Sequence, residues 1–131
     1  MCGIAGILGS DAAEYEKAVH KMVAAMIHRG PDGKGIYISP SGTCVLGHRR
    51  LAILDLSDAA SQPMISADGN SVLVYNGECY NFRELRDRLS NDGLDFVSSG
   101  DTEVVFKPLQ KEGVDALPKL NAMFALALWN E

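Results

Sequence analysis

Cys2 follows only Met1 in the sequence. A small residue in that place is the setting in which an initiator methionine is removed. Removal would leave a thiol and a free α-amine on one residue. The α-amine has an ordinary pKa of about 7.7–8.0, against about 8.5 for a thiol. It can therefore accept the thiol proton near neutral pH, directly or through one water. A single residue is then nucleophile and base together, with no histidine required. Taken alone, Cys2 reads first as a small buried hydrophobe at the edge of a strand.

Other segments carry groups that such a nucleophile would need. Tyr75-Asn-Gly-Glu78 has two readings. Asn-Gly between apolar residues is the usual two-residue hairpin turn. A strand that ends on Asn76-Gly77 and runs quickly into a helix would instead present an amide side chain and an exposed N–H together, the parts of an oxyanion hole. In Gly47-His-Arg-Arg-Leu51 two adjacent arginines stand between apolar runs. Surface solvation is their ordinary fate. One turned inward would seek a carboxylate, which a ligand can supply through two parallel hydrogen bonds. Ser98-Ser-Gly-Asp-Thr-Glu103 reads first as a helix start capped by Asp101, and that carboxylate could also receive a ligand ammonium. Arg29-Gly-Pro-Asp32 reads as a structural corner. His20, His28 and His48 read as ordinary side chains, and Cys44 and Cys79 as packing residues.

These residues need elements to hold them. Cys2–Leu8 is a short apolar run and predicts a buried strand. Asp11 with Glu14 fits a capping box. Tyr15–Ile27 then places Val19, Met22, Val23, Met26 and Ile27 at helical spacing, with Gly30 as C-cap and Pro31 as a stop. Gly35–Ile38 and Thr43–Leu46 predict strands around a Pro40-Ser-Gly42 turn. Leu51–Leu56 is a further apolar run, followed by a polar loop. Ser71–Tyr75 predicts a strand, and Asn81 opens a helix with Phe82, Leu85 and Leu89 on one face, ended by Gly93. Asp95–Val97 is a short strand candidate. Thr102–Glu112 is a helix that Pro108 should kink or shorten. Met123–Trp129 predicts a final buried strand. Strands and helices mix without strict βαβ alternation, so the class is α+β.

Composition bounds the rest. The chain has 131 residues, room for one domain. Hydrophobic residues make up 47% and charged residues 22%, which argues against wholesale disorder. Net charge is −5, from 12 basic and 17 acidic residues, and this speaks against a nucleic-acid binder or a basic membrane-surface protein. No apolar run reaches the roughly 20 residues that span a bilayer, and nothing at the N-terminus has the pattern of a signal peptide. The expected compartment is cytoplasmic. Three cysteines, widely spaced, do not make a disulfide framework or, with three histidines, a zinc pattern. There is no Walker A loop and no G-x-G-x-x-G.

The motifs matter most for their order. Cys2-Gly-Ile-Ala-Gly6, Arg29-Gly-Pro-Asp32, Gly47-His-Arg-Arg-Leu-Ala-Ile-Leu-Asp55, Gln62-Pro-Met64, Tyr75-Asn-Gly-Glu-Cys-Tyr-Asn81, Ser99-Gly-Asp-Thr-Glu103 and Met123-Phe-Ala-Leu-Ala-Leu-Trp129 form one series. It resembles the N-terminal glutaminase domain of glutamine-hydrolysing asparagine synthetases, which are class II glutamine amidotransferases. The resemblance covers Cys2 to the last residue. It implies a type-2 amidotransferase domain over residues 1–131, partial and without the synthetase domain. The implied fold is the four-layer αββα sandwich of the N-terminal-nucleophile hydrolases, incomplete on its C-terminal side, with an unpaired sheet edge.

The resemblance also implies roles. Cys2 attacks the side-chain amide of glutamine, and the Asn76 side chain and Gly77 N–H hold the oxyanion. Arg50 grips the carboxylate, while Asp101 takes the α-ammonium with help from Glu78. Leu51 joins the substrate site. No cofactor is implied in this domain; ATP and Mg are expected only in the synthetase domain. The implied partners are glutamine and an ATP-dependent synthetase domain or chain that makes asparagine from aspartate, with no nucleic acid and no membrane. A homodimer is compatible with this. Two alternatives stand beside it: a non-catalytic truncated remnant, and a glutaminase serving a different acceptor.

Overall fold

The computed structural model describes residues 2–131. Two antiparallel three-stranded sheets form its centre. In the first, β1 (Gly3–Leu8) and β2 (Gly33–Ile38) flank β3 (Cys44–Arg50). Gly3 pairs with Arg49 and Leu8 with Cys44, while Gly33 pairs with Arg50 and Ile38 with Val45. The second sheet has β5 (Ser71–Cys79) between β4 (Met64–Ile65) and β6 (Ala122–Asn130). β6 pairs along all of β5, from Ser71 with Asn130 to Cys79 with Ala122, but β4 covers only Val72 and Leu73.

Alternation along the strands builds the layers. Val45 of β3 meets Val19 and Val23 of α1 (Glu16–Ala25). Gly47 lets that helix approach closely: a Cβ there would lie 2.4 Å from a Val23 methyl. On the opposite face Cys44 and Leu46 pack on Val72 and Val74, which joins the sheets. Leu73 and Tyr75, on the far face of β5, bury against Leu85 of α2 (Phe82–Asn91) and Val104, Val105 and Leu109 of α3 (Thr102–Glu112). The order helix, sheet, sheet, helices is the αββα sandwich expected from the motifs.

Several local expectations change. Asp95–Val97 is irregular: the Glu103 carboxylate takes the Val97 N–H in place of a strand partner. β5 does not end at Tyr75 or turn at Asn76-Gly77; pairing with β6 carries it on to Cys79. β6 is an edge strand, with Met123 and Phe124 exposed where burial was expected. A short 3-10 turn, Ala12–Tyr15, precedes α1, and Asp11 makes no capping bond. Helical geometry stops at Ala25, short of Gly30, and leaves Met22 and Ile27 exposed. Gly30 instead allows contact with β3, since a Cβ there would sit 2.6 Å from the Arg49 carbonyl carbon. Asn81 and Asp101 stand at helix starts, but neither side chain caps. Pro108 does not shorten α3, which keeps the bounds its pattern predicts.

Candidate active site

Cys2 precedes β1 by one residue, and the β1–β3 register brings it beside the end of β3. Arg29 donates from Nε to the Cys2 carbonyl at 2.9 Å. The Leu51 N–H points at Cys2 Sγ from 3.3 Å. Asp32 completes this corner. Its N–H donates to the Arg50 carbonyl at 3.0 Å, and its carboxylate accepts from the Ala52 N–H at 2.9 Å. Arg29-Gly-Pro-Asp32 is thus the structural corner its composition suggested, fastened to Cys2 and to the chain that leaves β3.

The other wall is the free edge of β5. Along an antiparallel strand, alternate residues direct N–H and C=O to the same side. Ser71, Tyr75, Gly77 and Cys79 turn theirs away from β6, and beyond Leu73 no strand receives them. Side chains do so instead. The Tyr75 N–H donates to Gln62 Oε1 at 2.6 Å, and the Cys79 N–H to Asp101 Oδ2 at 2.9 Å. His48 Nε2 lies 3.2 Å from the Tyr75 carbonyl. That acceptor fixes the proton on Nε2. Burial lowers the pKa of the ring to about 4, so it is neutral and leaves the proton traffic to others. Between these tethered positions the Gly77 N–H has no hydrogen-bond partner among the described residues. A Cβ at Gly77 would sit 2.5 Å from the Met123 carbonyl oxygen, so close packing on β6 requires the glycine.

A cavity of about 310 Å³ lies between the two walls. Cys2, Arg50, Leu51, Gly77, Glu78 and Asp101 all line it. The sequence-predicted residues therefore converge, with one exception. Asn76 is not on the cavity wall, and its Oδ1 is buried without a partner. Strand alternation turns its side chain to the opposite face of β5 from Tyr75 and Gly77. Of the two arginines, Arg50 reaches the cavity while Arg49 is buried. The Arg50 guanidinium donates to the carbonyls of Ser57, at 2.8 Å, and Asp55. These acceptors are neutral, and no ion pair to Arg50 forms among the described residues, so its charge is uncompensated. Asp101 lines the same cavity, with its pKa raised by burial against the lowering effect of the Cys79 amide. Cation, thiol, amide donor and carboxylate thus share one space.

Two loops close around it, and the sequence alone did not disclose how. The apolar run Leu51–Leu56 is no strand: Leu51, Ile53 and Leu54 form cavity wall. Asp55 ties that loop to the one before α3. Its Oδ1 accepts from the Ser57 N–H at 2.8 Å and its Oδ2 from the Ser99 N–H at 2.6 Å. The Ser57 hydroxyl first, and then the Ser99 amide, hold this carboxyl well below the usual range. Arg86 of α2 donates to the carbonyls of Ser98 and Gly100 at 2.7 and 2.6 Å. Glu103 of α3 accepts from the amides of Val97 and Ser98 at 3.0 and 2.7 Å. The Asp55-Leu-Ser57 spacing is a recognisable side-chain turn. The long-range bonds of Asp55, Gln62 and Arg86 have no local signature.

The whole chain, residues 1–131, matches a family model described as a glutamine amidotransferase domain. The chain belongs to this family. Among relatives of this amidotransferase domain, asparagine synthetase B [glutamine-hydrolyzing] of Escherichia coli is 38% identical, over 99% of this chain and 23% of its own length. Asparagine synthetase [glutamine-hydrolyzing] 1 of Bacillus subtilis is 33% identical, over 100% of this chain and 21% of its own length. The chain spans roughly a quarter or less of these relatives. The glutamine phosphoribosylpyrophosphate amidotransferase structure of Bacillus subtilis, solved with ADP and GMP, superposes with a TM-score of 0.74 at 20% identity. That match covers 99% of this chain and 35% of the other, and it shows that the two share a fold. No helix of the described residues is long and apolar enough to cross a membrane.

Proposed function

We propose that this domain hydrolyses glutamine to glutamate and ammonia, with Cys2 as the nucleophile. The observation that carries this reading is the convergence of Cys2, the unpartnered Gly77 amide, Arg50 and Asp101 on one cavity. Glutamine is a zwitterion with a neutral amide at its far end. Arg50 takes its carboxylate and Asp101 its ammonium, which leaves the amide carbon at the sulfur. Leu51 and Glu78 complete the wall around it.

The chemistry is acyl transfer. Loss of Met1, which lies outside the described residues, frees the Cys2 amine to take the thiol proton. The sulfur then bonds to the amide carbon, and the Gly77 N–H stabilises the oxyanion. The resemblance gives Asn76 a share of this task, but its side chain lies on the opposite face of β5 and off the cavity wall, so the Gly77 N–H carries it. As the C–N bond breaks, the amine returns its proton to the leaving nitrogen, and ammonia departs. Water attacks the thioester, releases glutamate and restores the thiol. Nucleophile, base and water account for every atom, so these steps call on no cofactor.

The names of the relatives support a wider reading. The ammonia would be used by an ATP-dependent synthetase domain, with Mg, to convert aspartate to asparagine. In the processed protein, Cys2→Ala should reduce glutamate release to background while the thermal melt stays in place. Wild-type turnover in that variant would overturn the assignment. Intact-mass analysis of the same sample should show the chain without Met1.

A further inference from the structure

Tyr75 is 2% exposed, and its Oη has no hydrogen-bond partner among the described residues. Its ring packs in the core beside α3 and tilts against Phe124, with centroids 6.4 Å apart. Phenylalanine would serve that packing as well. A buried hydroxyl without a partner is unfavourable and calls for a reason. Its place is also held with unusual care. Gln62 grips the N–H and His48 the carbonyl, so the backbone of this one residue is clamped from two elements. Tyr75 and Asp101 line the same cavity. The Asp101 carboxylate is held from one side only, by the Cys79 amide on its Oδ2. Burial first, and then Asp101, keep the phenol well above its ordinary pKa, so it remains a proton donor.

We propose that Tyr75 is a positioning residue for Asp101: its hydroxyl donates to the carboxylate as that carboxylate takes the α-ammonium of the ligand. The inference rests on the glutaminase reading. Two donors then hold the carboxylate, the Cys79 N–H from the strand backbone and the Tyr75 hydroxyl from the core. The remaining lone pairs face the ligand. The contact selects for an α-amino acid and leaves the reacting amide end untouched.

The test is Tyr75→Phe in the full chain, which keeps the ring and removes one oxygen. The KM for glutamine should rise about ten-fold, the effect of one lost hydrogen bond to a charged group, with kcat nearly unchanged. Glutaramate, which is glutamine without its α-amine, should inhibit wild type and variant equally. In an Asp101→Asn background, Tyr75→Phe should add nothing further. An unchanged KM for glutamine overturns the proposal, as does equal weakening of glutaramate or a full additional loss in the Asp101→Asn background. These results would leave Cys2-dependent glutaminase activity standing. A wild-type chain that neither binds nor hydrolyses glutamine would remove the underlying reading and this inference with it.

Discussion

The two sheets use the same strand geometry to different ends. In the first, β3 is paired along both edges, by β1 and β2, and is buried from Cys44 to Arg49. Its backbone has nothing left to offer a ligand. It contributes by ending in the right place, where Arg50 and the chain beyond it meet Cys2. In the second, β5 is paired along only one edge for most of its length. Side chains from the 62 and 101 positions take the donors of Tyr75 and Cys79, and the Gly77 donor between them stays free. A fully paired sheet is a scaffold. A sheet with one edge deliberately tethered and one amide left open can bind developing charge at almost no reorganisation cost.

Two glycines separate these roles. At Gly77 an added Cβ would meet the backbone of β6, at 2.5 Å from the Met123 oxygen. At Gly47 it would meet the Val23 and Val19 side chains, at 2.4 and 2.9 Å. Alanine at either should cost about 1–3 kcal/mol of stability through overpacking, read from denaturant melts. Only Gly77→Ala should also lower kcat, by about 100- to 1000-fold, because it displaces the amide donor. Equal kcat losses in the two variants would erase the distinction between the sheets.

Arg50→Ala gives a smaller effect. It removes charged hydrogen bonds that act in both ground and transition states, so the KM for glutamine should rise about 10- to 100-fold with kcat largely kept. An unchanged KM would move the carboxylate site away from the end of β3.

The effect on activity is smallest at the bond between the sheets, from His48 on β3 to the Tyr75 carbonyl on β5, which acts through stability. Burial lowers the His48 pKa from 6.5 to about 4. Between those values the unfolded chain binds a proton that the folded chain does not. The contribution is therefore present above pH 6.5 and lost as pH falls toward 4, and it amounts to at most about 3 kcal/mol. Urea melts at pH 7 and pH 4.5 should show this loss, and His48→Gln should reduce the difference.

Much of this was legible in the order of residues. Helix and strand periodicities place α1, α2, α3, β1 and the β2–β3 hairpin within a few residues. Cys2, Arg50, Gly77 and Asp101 could be singled out because each carries a group with specific chemistry. The misreadings share a cause. Local pattern allows Asn76-Gly77 to be a turn and makes Asp95–Val97 a strand, but each is decided by a partner outside the segment itself. β6 supplies the first with a ladder, whereas Glu103 binds the backbone of the second. Asp101 stands at a helix start, where a cap is expected, yet its carboxylate goes to Cys79 on a different element.

The sequence by itself determined the kinds of groups present and their order: a potential N-terminal thiol, an arginine, an amide-glycine pair and an acid, set among segments of definite periodicity. Those are local properties, fixed by side-chain chemistry and near neighbours. Only the tertiary structure decided which backbone amide remains open, which arginine reaches the cavity and which hydroxyl is left without a partner. Those outcomes depend on which hydrogen-bonding groups are already taken, and the acceptors of Gln62 and Asp101, the His48 ring and the β6 backbone meet β5 only after the sheets have packed.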